Sequence, residues 1–242
     1  MPHSLFISDL HLSREHPLSA KLFRQFVSDI APKAEALYIL GDLFEYWAGD
    51  DDLNDTFHLS VCSALRTLDE QGTRIFIMHG NRDFLMDTKL ALACGATLLP
   101  DPILLDLYGA PTLLTHGDVL CTDDASYQQF RTMVRSDEWR TAFLAQPLVQ
   151  RKEQIERLRA QSEQSKRVKS MDIMDVNCEA VNALLRQYHY PRLIHGHTHR
   201  MAKHLHHVDG RSCERWVLGD WDSKANALHC DSSGTSWEAI LL

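Results

Sequence analysis

Five apolar runs in this chain each end in a cluster of metal-binding residue types, and that repetition constrains the fold more than any other feature. Leu5-Phe6-Ile7-Ser8 runs into Asp9-Leu10-His11, and Leu37-Tyr38-Ile39-Leu40 into Gly41-Asp42. Ile75-Phe76-Ile77-Met78 precedes His79-Gly80-Asn81-Arg82-Asp83, and Thr112-Leu113-Leu114-Thr115 precedes His116-Gly117-Asp118. Leu193-Ile194 leads into His195-Gly196-His197-Thr198-His199. Short continuous apolar runs read as buried strands. In α/β sheets, ligands gather beyond the carboxyl ends of such strands, where side chains converge on a rigid base. A lone Asp or His has an ordinary structural reading. Five strand ends carrying His, Asp and Asn point to a metal site. Asp-x-His and His-x-His each set two ligands on one side of the chain, and the adjoining glycines permit close approach and a sharp exit.

Between these runs the helical period takes over. Pro17 opens a helix over 17 to 31, with Leu18, Leu22, Phe23, Phe26, Val27 and Ile30 on its apolar face. A second covers 54 to 71 and stops at Gly72, and a short one closes at Gly95. Ile103–Leu107 and Thr112–Thr115 flank a hairpin loop at Tyr108-Gly109-Ala110-Pro111, and a long helix is expected from about 172 to 189. The tail reads as short strands with turns at Asp209-Gly210 and near Ser233-Gly234. Strands alternating with helices, then hairpins, predict one α/β domain over residues 1–242, with a mixed sheet system packed between helices. Residues 121–170 break the pattern and read as an inserted helical cap. Within 151 to 169, seven Lys/Arg face three Glu, a basic surplus in a chain of net charge −8. A solvated helix with i,i+4 charge pairs is the plainer alternative for that stretch.

The acidic balance excludes a global basic footprint for nucleic acid. No apolar run approaches the roughly 18 residues needed to span a bilayer, and no N-terminal secretory signal is evident. The six cysteines are far apart with no C-x-x-C pair, so buried free thiols are expected rather than a disulfide framework.

The ordered blocks D-x-H, G-D, G-N-R-D, an isolated His and G-H-x-H, spanning residues 9 to 199, resemble the calcineurin-like metallophosphoesterase superfamily. The resemblance implies a four-layer αββα sandwich and a dinuclear site in which Asp42 bridges. It assigns Asp9, His11, Asp42 and His199 to one ion, and Asp42, Asn81, His116 and His197 to the other. These seven residues are also the candidate catalytic set. Mixed imidazole and carboxylate donors favour Mn²⁺, Fe or Zn²⁺ over Mg²⁺.

Arg82 narrows the substrate. Many superfamily members carry His after the Gly-Asn, where it can protonate an alkoxide. Arginine cannot act as an acid near neutrality but stabilises phosphate charge bidentately. That suits a leaving group that is itself a phosphate, hence a diphosphate bond. An ion pair between Arg82 and Asp83 is the structural alternative.

With Asp9-Leu10-His11-Leu12, Gly41-Asp42-Leu43-Phe44-Glu45, Gly80-Asn81-Arg82-Asp83-Phe84-Leu85 and the insertion, the chain resembles the UDP-2,3-diacylglucosamine diphosphatase family of lipid A biosynthesis almost end to end. This implies hydrolysis of UDP-2,3-diacylglucosamine to lipid X and UMP by water attack at the α-phosphorus, with two Mn²⁺ per chain. It also implies peripheral attachment to the cytoplasmic face of the inner membrane, with no nucleic acid and no obligate protein partner. Implied substrate contacts are Asn81, Arg82, Asp124, Tyr127, Ser162, Lys166, Lys169 and His197.

Phe130, Trp139, Phe143, Leu144 and Leu148 offer an apolar cleft for acyl chains, Trp139 and Phe143 sharing a helix face; packing of the cap onto the core is the alternative. His204, His206 and His207 fall in an expected edge strand and read as structural, while His195 is a candidate partner behind the ligands. Two rivals remain: another phosphoesterase on this scaffold, acting on cyclic nucleotides or nucleic acid, and a non-catalytic scaffold protein.

Overall fold

In the computed structural model, residues 1–166, 173–222 and 225–240 are described, apart from the side chains of 163, 165 and 166. Lys169 and the side chain of Lys166 therefore lie outside the described residues.

The apolar runs form two sheets packed face to face. One has six strands in the order β11-β10-β1-β2-β3-β4: Gly234–Ile240, Ala225–Asp231, His3–Ile7, Ala36–Leu40, Arg74–Met78 and Ala96–Leu99. The other has five in the order β5-β6-β7-β9-β8: Ile103–Leu107, Ala110–Thr115, Arg192–His195, Arg211–Val217 and Ala202–Val208. Strands β1 to β4 run parallel, as do β6, β7 and β9, so their carboxyl ends share one edge.

Alternation along each strand builds the layers. Leu5, Ile7, Leu37, Ile39, Ile75 and Ile77 face α1 (Pro17–Gln25) and α2 (Thr56–Glu70). Phe6, Tyr38, Leu40 and Met78 face the other way and meet Leu114, Ile194 and Trp216 between the sheets. Phe6, Tyr38 and Phe76 stack across three strands with centroids 4.8 Å apart at each step. On the far side, Leu113 and Leu193 pack on Val181 and Leu185 of a helix over Cys178–Gln187. The result is helix, sheet, sheet, helix, and burial on both faces explains why the strands read as unbroken apolar runs.

One sequence expectation is corrected, and one strand is added. The helix predicted from about 172 to 189 is only Cys178–Gln187, because Asn177 caps it, its side chain accepting from the Glu179 and Ala180 amides. Strand β4 carried no visible signal, since its four side chains are half-buried or exposed rather than a buried run. The first helix is prolonged past Gln25 by a wider π turn over Phe26–Ile30. The hairpin loop tightens to Tyr108-Gly109, both at positive φ, as a two-residue turn requires.

Among the described residues, four α-helices lie between β6 and β7, α4 (Ala125–Val134), α5 (Asp137–Leu144), α6 (Leu148–Lys166) and α7 (Cys178–Gln187), while α3 (Thr88–Cys94) precedes β4. All six cysteines are free, Cys178 exposed and the others buried.

Candidate metal centre and adjoining cleft

The chain leaves its strands sharply, and the backbone is strained where the candidate ligands sit. Asp9, His11, Asp42, His197 and His199 all have φ between +48° and +71°. Non-glycine residues avoid this region, at roughly 1–3 kcal/mol each, and persist there when the surrounding packing over-determines them. The packing here is close. A Cβ on Gly80 would lie 2.0 Å from Asp42 Oδ1, and one on Gly196 would lie 2.4 Å from Asp9 Oδ2.

The seven candidates converge at one edge of the sandwich. His11 Nε2 lies 3.3 Å from His199 Nε2, and His199 Nε2 lies 3.4 Å from Asp9 Oδ1. Asn81 Oδ1 is 3.1 Å from His116 Nε2 and 2.8 Å from His197 Nδ1. Asp42 stands between the groups, with Oδ2 3.8 Å from His11 Nε2 and Oδ1 3.9 Å from His116 Nε2.

Behind the rings, acceptors fix the tautomers. His11 Nδ1 faces Glu45 at 2.9 Å, His199 Nδ1 faces Asp220 at 3.1 Å, and His116 Nδ1 faces the Leu40 carbonyl at 2.8 Å. When neutral, as metal binding requires, the His116 and His199 rings carry their proton at the back and turn an Nε2 lone pair inward, while Glu45 stands behind His11 as a charge partner. Nε2 atoms facing each other at 3.3 Å, beside the buried Asp9 Oδ1 that makes no hydrogen bond, form a pocket shaped for cations. The donor set of imidazoles, carboxylates and one amide oxygen thus fits divalent metal ions. Asp9 gathers with His11 and His199, and again with Asp42 and His116, as potential ligand groups.

The field agrees. Burial opposes charge on Asp9, yet His199, His116 and His11 hold its carboxyl well below the usual range. Burial likewise opposes a proton on His116, but Asp42, Asp9 and Asp118 raise it to about 9. His199 reaches about 10 against its burial, through Asp220 and Asp9. His197, buried and next to His116, falls to about 4.

Several residues outside the sequence-derived candidate set prove central. Glu45, drawn down to about 2 against its burial by His11, Arg82 and Arg159, touches all three. Asp220 orients His199 from the loop after β9, with no local motif to announce it. Asp83 does not pair with Arg82. Its buried carboxylate accepts the amides of Gly80 at 2.9 Å and Leu43 at 2.8 Å, tying the second and third blocks together. Asp118 collects Tyr127 Oη at 2.9 Å and Arg131 Nε at 2.8 Å, and Arg135 donates to the Gly80 carbonyl beside Asn81.

A cleft of about 820 Å³ opens over the cluster, lined among others by Arg82, Asp124, Tyr127, Arg159 and Ser162. Tyr127 stacks on His197, its O–H engaged by Asp118, and Asp124 also caps α4. A second cavity of about 280 Å³ adjoins it, with Phe84, Phe130, Val134, Trp139, Phe143 and Ile155 in its wall. Both spaces share Glu45, Asn81, Arg82, Tyr127, Arg159 and Ser162. Trp139 and Phe143 stack at 4.5 Å. Leu144 instead packs on the core beneath, and Leu148 is half-buried; neither is among the lining residues. Among the described basic side chains of α6, most are engaged by the body: Arg151 with Asp51 and the Ala48 carbonyl, Lys152 with Asp52, Arg159 with Glu45.

His204, His206 and His207 lie on β8, the edge of its sheet, where His206 meets Asn182 and Arg215, and His207 meets Ser212.

Comparison with known proteins gives the same direction. The family model described as calcineurin-like phosphoesterase matches residues 3–201. A UDP-2,3-diacylglucosamine hydrolase of Aromatoleum aromaticum is 54% identical over 96% of this chain and 94% of its own. The enzyme of that name from Pseudomonas paraeruginosa is 47% identical, with 95% of each chain covered. Among solved structures, a dimetal phosphatase from Danio rerio shares the fold, with a TM-score of 0.51 at 12% identity over 99% of this chain and 98% of that one.

Proposed function

The chain belongs to the calcineurin-like phosphoesterases and, within them, to the UDP-2,3-diacylglucosamine hydrolases, and from that premise we propose its reaction. It hydrolyses the diphosphate bond of UDP-2,3-diacylglucosamine to lipid X and UMP, a step of lipid A biosynthesis, with water attacking the α-phosphorus. The observation that carries this reading is a junction. A polar cleft over a cation-shaped donor cluster meets an aromatic cavity at Asn81 and Arg82. A diphosphate joining a nucleotide to a diacylated sugar divides chemically in the same way.

Asp9, His11, Asp42 and His199 would hold one ion, and Asp42, Asn81, His116 and His197 the other. The opposed reach of the two Asp42 oxygens, toward His11 and toward His116, supports a bridging role. Two Mn²⁺ suit this donor set. When bound, such ions make a water nucleophilic near neutral pH and offset charge on the phosphate oxygens.

The chain's own residues supply the rest. Glu45 and Asp220 keep the rings of His11 and His199 aimed inward. Arg82 and Arg159, both within reach of Glu45, present guanidinium donors to the diphosphate as it enters. The lipid X phosphate departs as a stable anion and needs no proton, so Arg82 suffices where an acid would otherwise stand. Tyr127 and Ser162 line the passage between cleft and cavity, and Phe130, Trp139 and Phe143 receive acyl chain.

The protein works as a peripheral protein on the cytoplasmic face of the inner membrane. Its substrate is a lipid, and no helix among the described residues is long and apolar enough to cross a membrane. Met133 and Val149 are exposed on the covering helices, available to an interface.

Hydrolysis in ¹⁸O-labelled water tests the site of attack. Label is expected in UMP; label in lipid X overturns attack at the α-phosphorus.

A further inference from the structure

His195 opens the fifth strand-end cluster, yet both its ring nitrogens are engaged by groups other than the candidate ligands. Nε2 lies 3.1 Å from Arg215 Nη1, and Nδ1 lies 2.9 Å from the Gly196 carbonyl, with His195 and Arg215 both buried. A guanidinium only donates, so Nε2 must be a bare acceptor and the proton of the neutral ring sits on Nδ1. That proton is donated to Gly196 O. On its other side Arg215 Nε donates to His206 Nε2 at 3.0 Å, so the guanidinium is clamped between two imidazoles.

The Gly196–His197 peptide is thereby fixed at both ends. Its oxygen accepts from His195 Nδ1 and from the Thr198 amide at 2.9 Å. Its N–H donates to Asp9 Oδ2 at 2.9 Å. With Oδ2 committed, Oδ1 is the oxygen that Asp9 turns toward His199. Gly117 keeps the space for this arrangement, since a Cβ there would stand 2.8 Å from His195 Nδ1.

We propose that Arg215 is a positioning residue for the metal centre: acting through His195, it fixes the Gly196–His197 peptide and with it the aim of Asp9, His197 and His199. The inference rests on the ligand set proposed above and extends it outward, to a strand that contributes no ligand.

The test is a double-mutant cycle read as Mn²⁺ affinity, by calorimetry on the chelator-stripped full chain, with thermal melting to establish that each variant folds. Partners behind metal ligands typically change affinity about 10–100-fold. Arg215→Met and His195→Phe should each weaken Mn²⁺ binding about 10-fold, and the double variant should be no weaker than His195→Phe alone. Arg215→Lys, keeping one donor for His195, should recover most of the loss. Multiplying effects in the double variant, or wild-type affinity in Arg215→Met, overturns the proposal. Long-range ¹⁵N–¹H NMR of the histidines in the wild-type chain tests it without any substitution. His195 should carry its proton on Nδ1, and a proton on Nε2 overturns the proposal even if every variant unfolds. A wild-type chain that bound no Mn²⁺ would instead sink the ligand assignment beneath it.

Discussion

At the strand ends most donors are backed by the core, His199 being the exposed one. Asp9 and His116 are fully buried, their neighbours are closed in by glycines, and the rings are held from behind by carboxylates or a carbonyl. Over the cleft the arrangement differs. Helices α4 to α6 grip the body largely through side-chain charges: Arg140 on Asp87 at 2.7 Å, Arg159 on Glu45 at 2.7 Å, Lys152 on Asp52 and Arg151 on Asp51. Their apolar anchor is the group of Trp139, Phe143, Leu144 and Ile155. On the reading proposed above, the chemistry is set in a close-packed, strained lattice, whereas the lipid half of the substrate is left to a segment attached mostly by ion pairs. Substitutions should divide along that line: those at the strand ends strike turnover, and those in the helices strike lipid recognition.

The largest effect should come from the donors themselves. Asp42→Ala or His116→Ala removes several kcal/mol of transition-state stabilisation, a loss on the order of 10³-fold in kcat. The chain should stay folded, as circular dichroism would check. Retained activity in either variant would break the assignment of the site.

That prediction rests on the part most open to a reader of the sequence. The seven candidates stood at the ends of apolar runs, and a buried strand with an abrupt polar end is a local signal. The residues behind them were less visible. Asp220 reaches His199 from the loop after β9, a partnership only the folded topology creates. Glu45 stood inside a recognised motif, but its place between His11 and Arg159 depends on where α6 lies. Strand β4 escaped because an edge strand with half-buried side chains has no apolar run. The basic character of α6 was legible, though not its engagement by Asp51, Asp52 and Glu45.

Next in size are the groups that touch phosphate or orient ligands. Arg82→Ala should cost about 10²-fold in kcat/KM. Arg82→Lys should recover only part of it, because an ammonium lacks the planar fork. Asp220→Asn should lower Mn²⁺ affinity or turnover about 10–100-fold. An unchanged affinity and rate would show that His199 needs no orienting partner.

Smaller again is the effect expected in the helices. Phe130→Ala removes aromatic surface from the cavity wall and should raise KM about 10-fold, the equivalent of about 1.4 kcal/mol, with kcat little changed. A loss confined to kcat would contradict the division between the two regions. Smallest is Arg140→Ala, which breaks an ion pair with the exposed Asp87 and should alter stability by under about 1 kcal/mol. Thermal melting would read it.

The central claim is that the strand-end donors bind ions essential for cleaving a nucleotide–lipid diphosphate, and turnover of UDP-2,3-diacylglucosamine under metal control tests it most directly. Chain treated with chelator should be silent, and added Mn²⁺ should restore release of lipid X and UMP. Full turnover in the chelated chain, or Mn²⁺-restored cleavage of cyclic nucleotides or DNA with the UDP-lipid left intact, would contradict it.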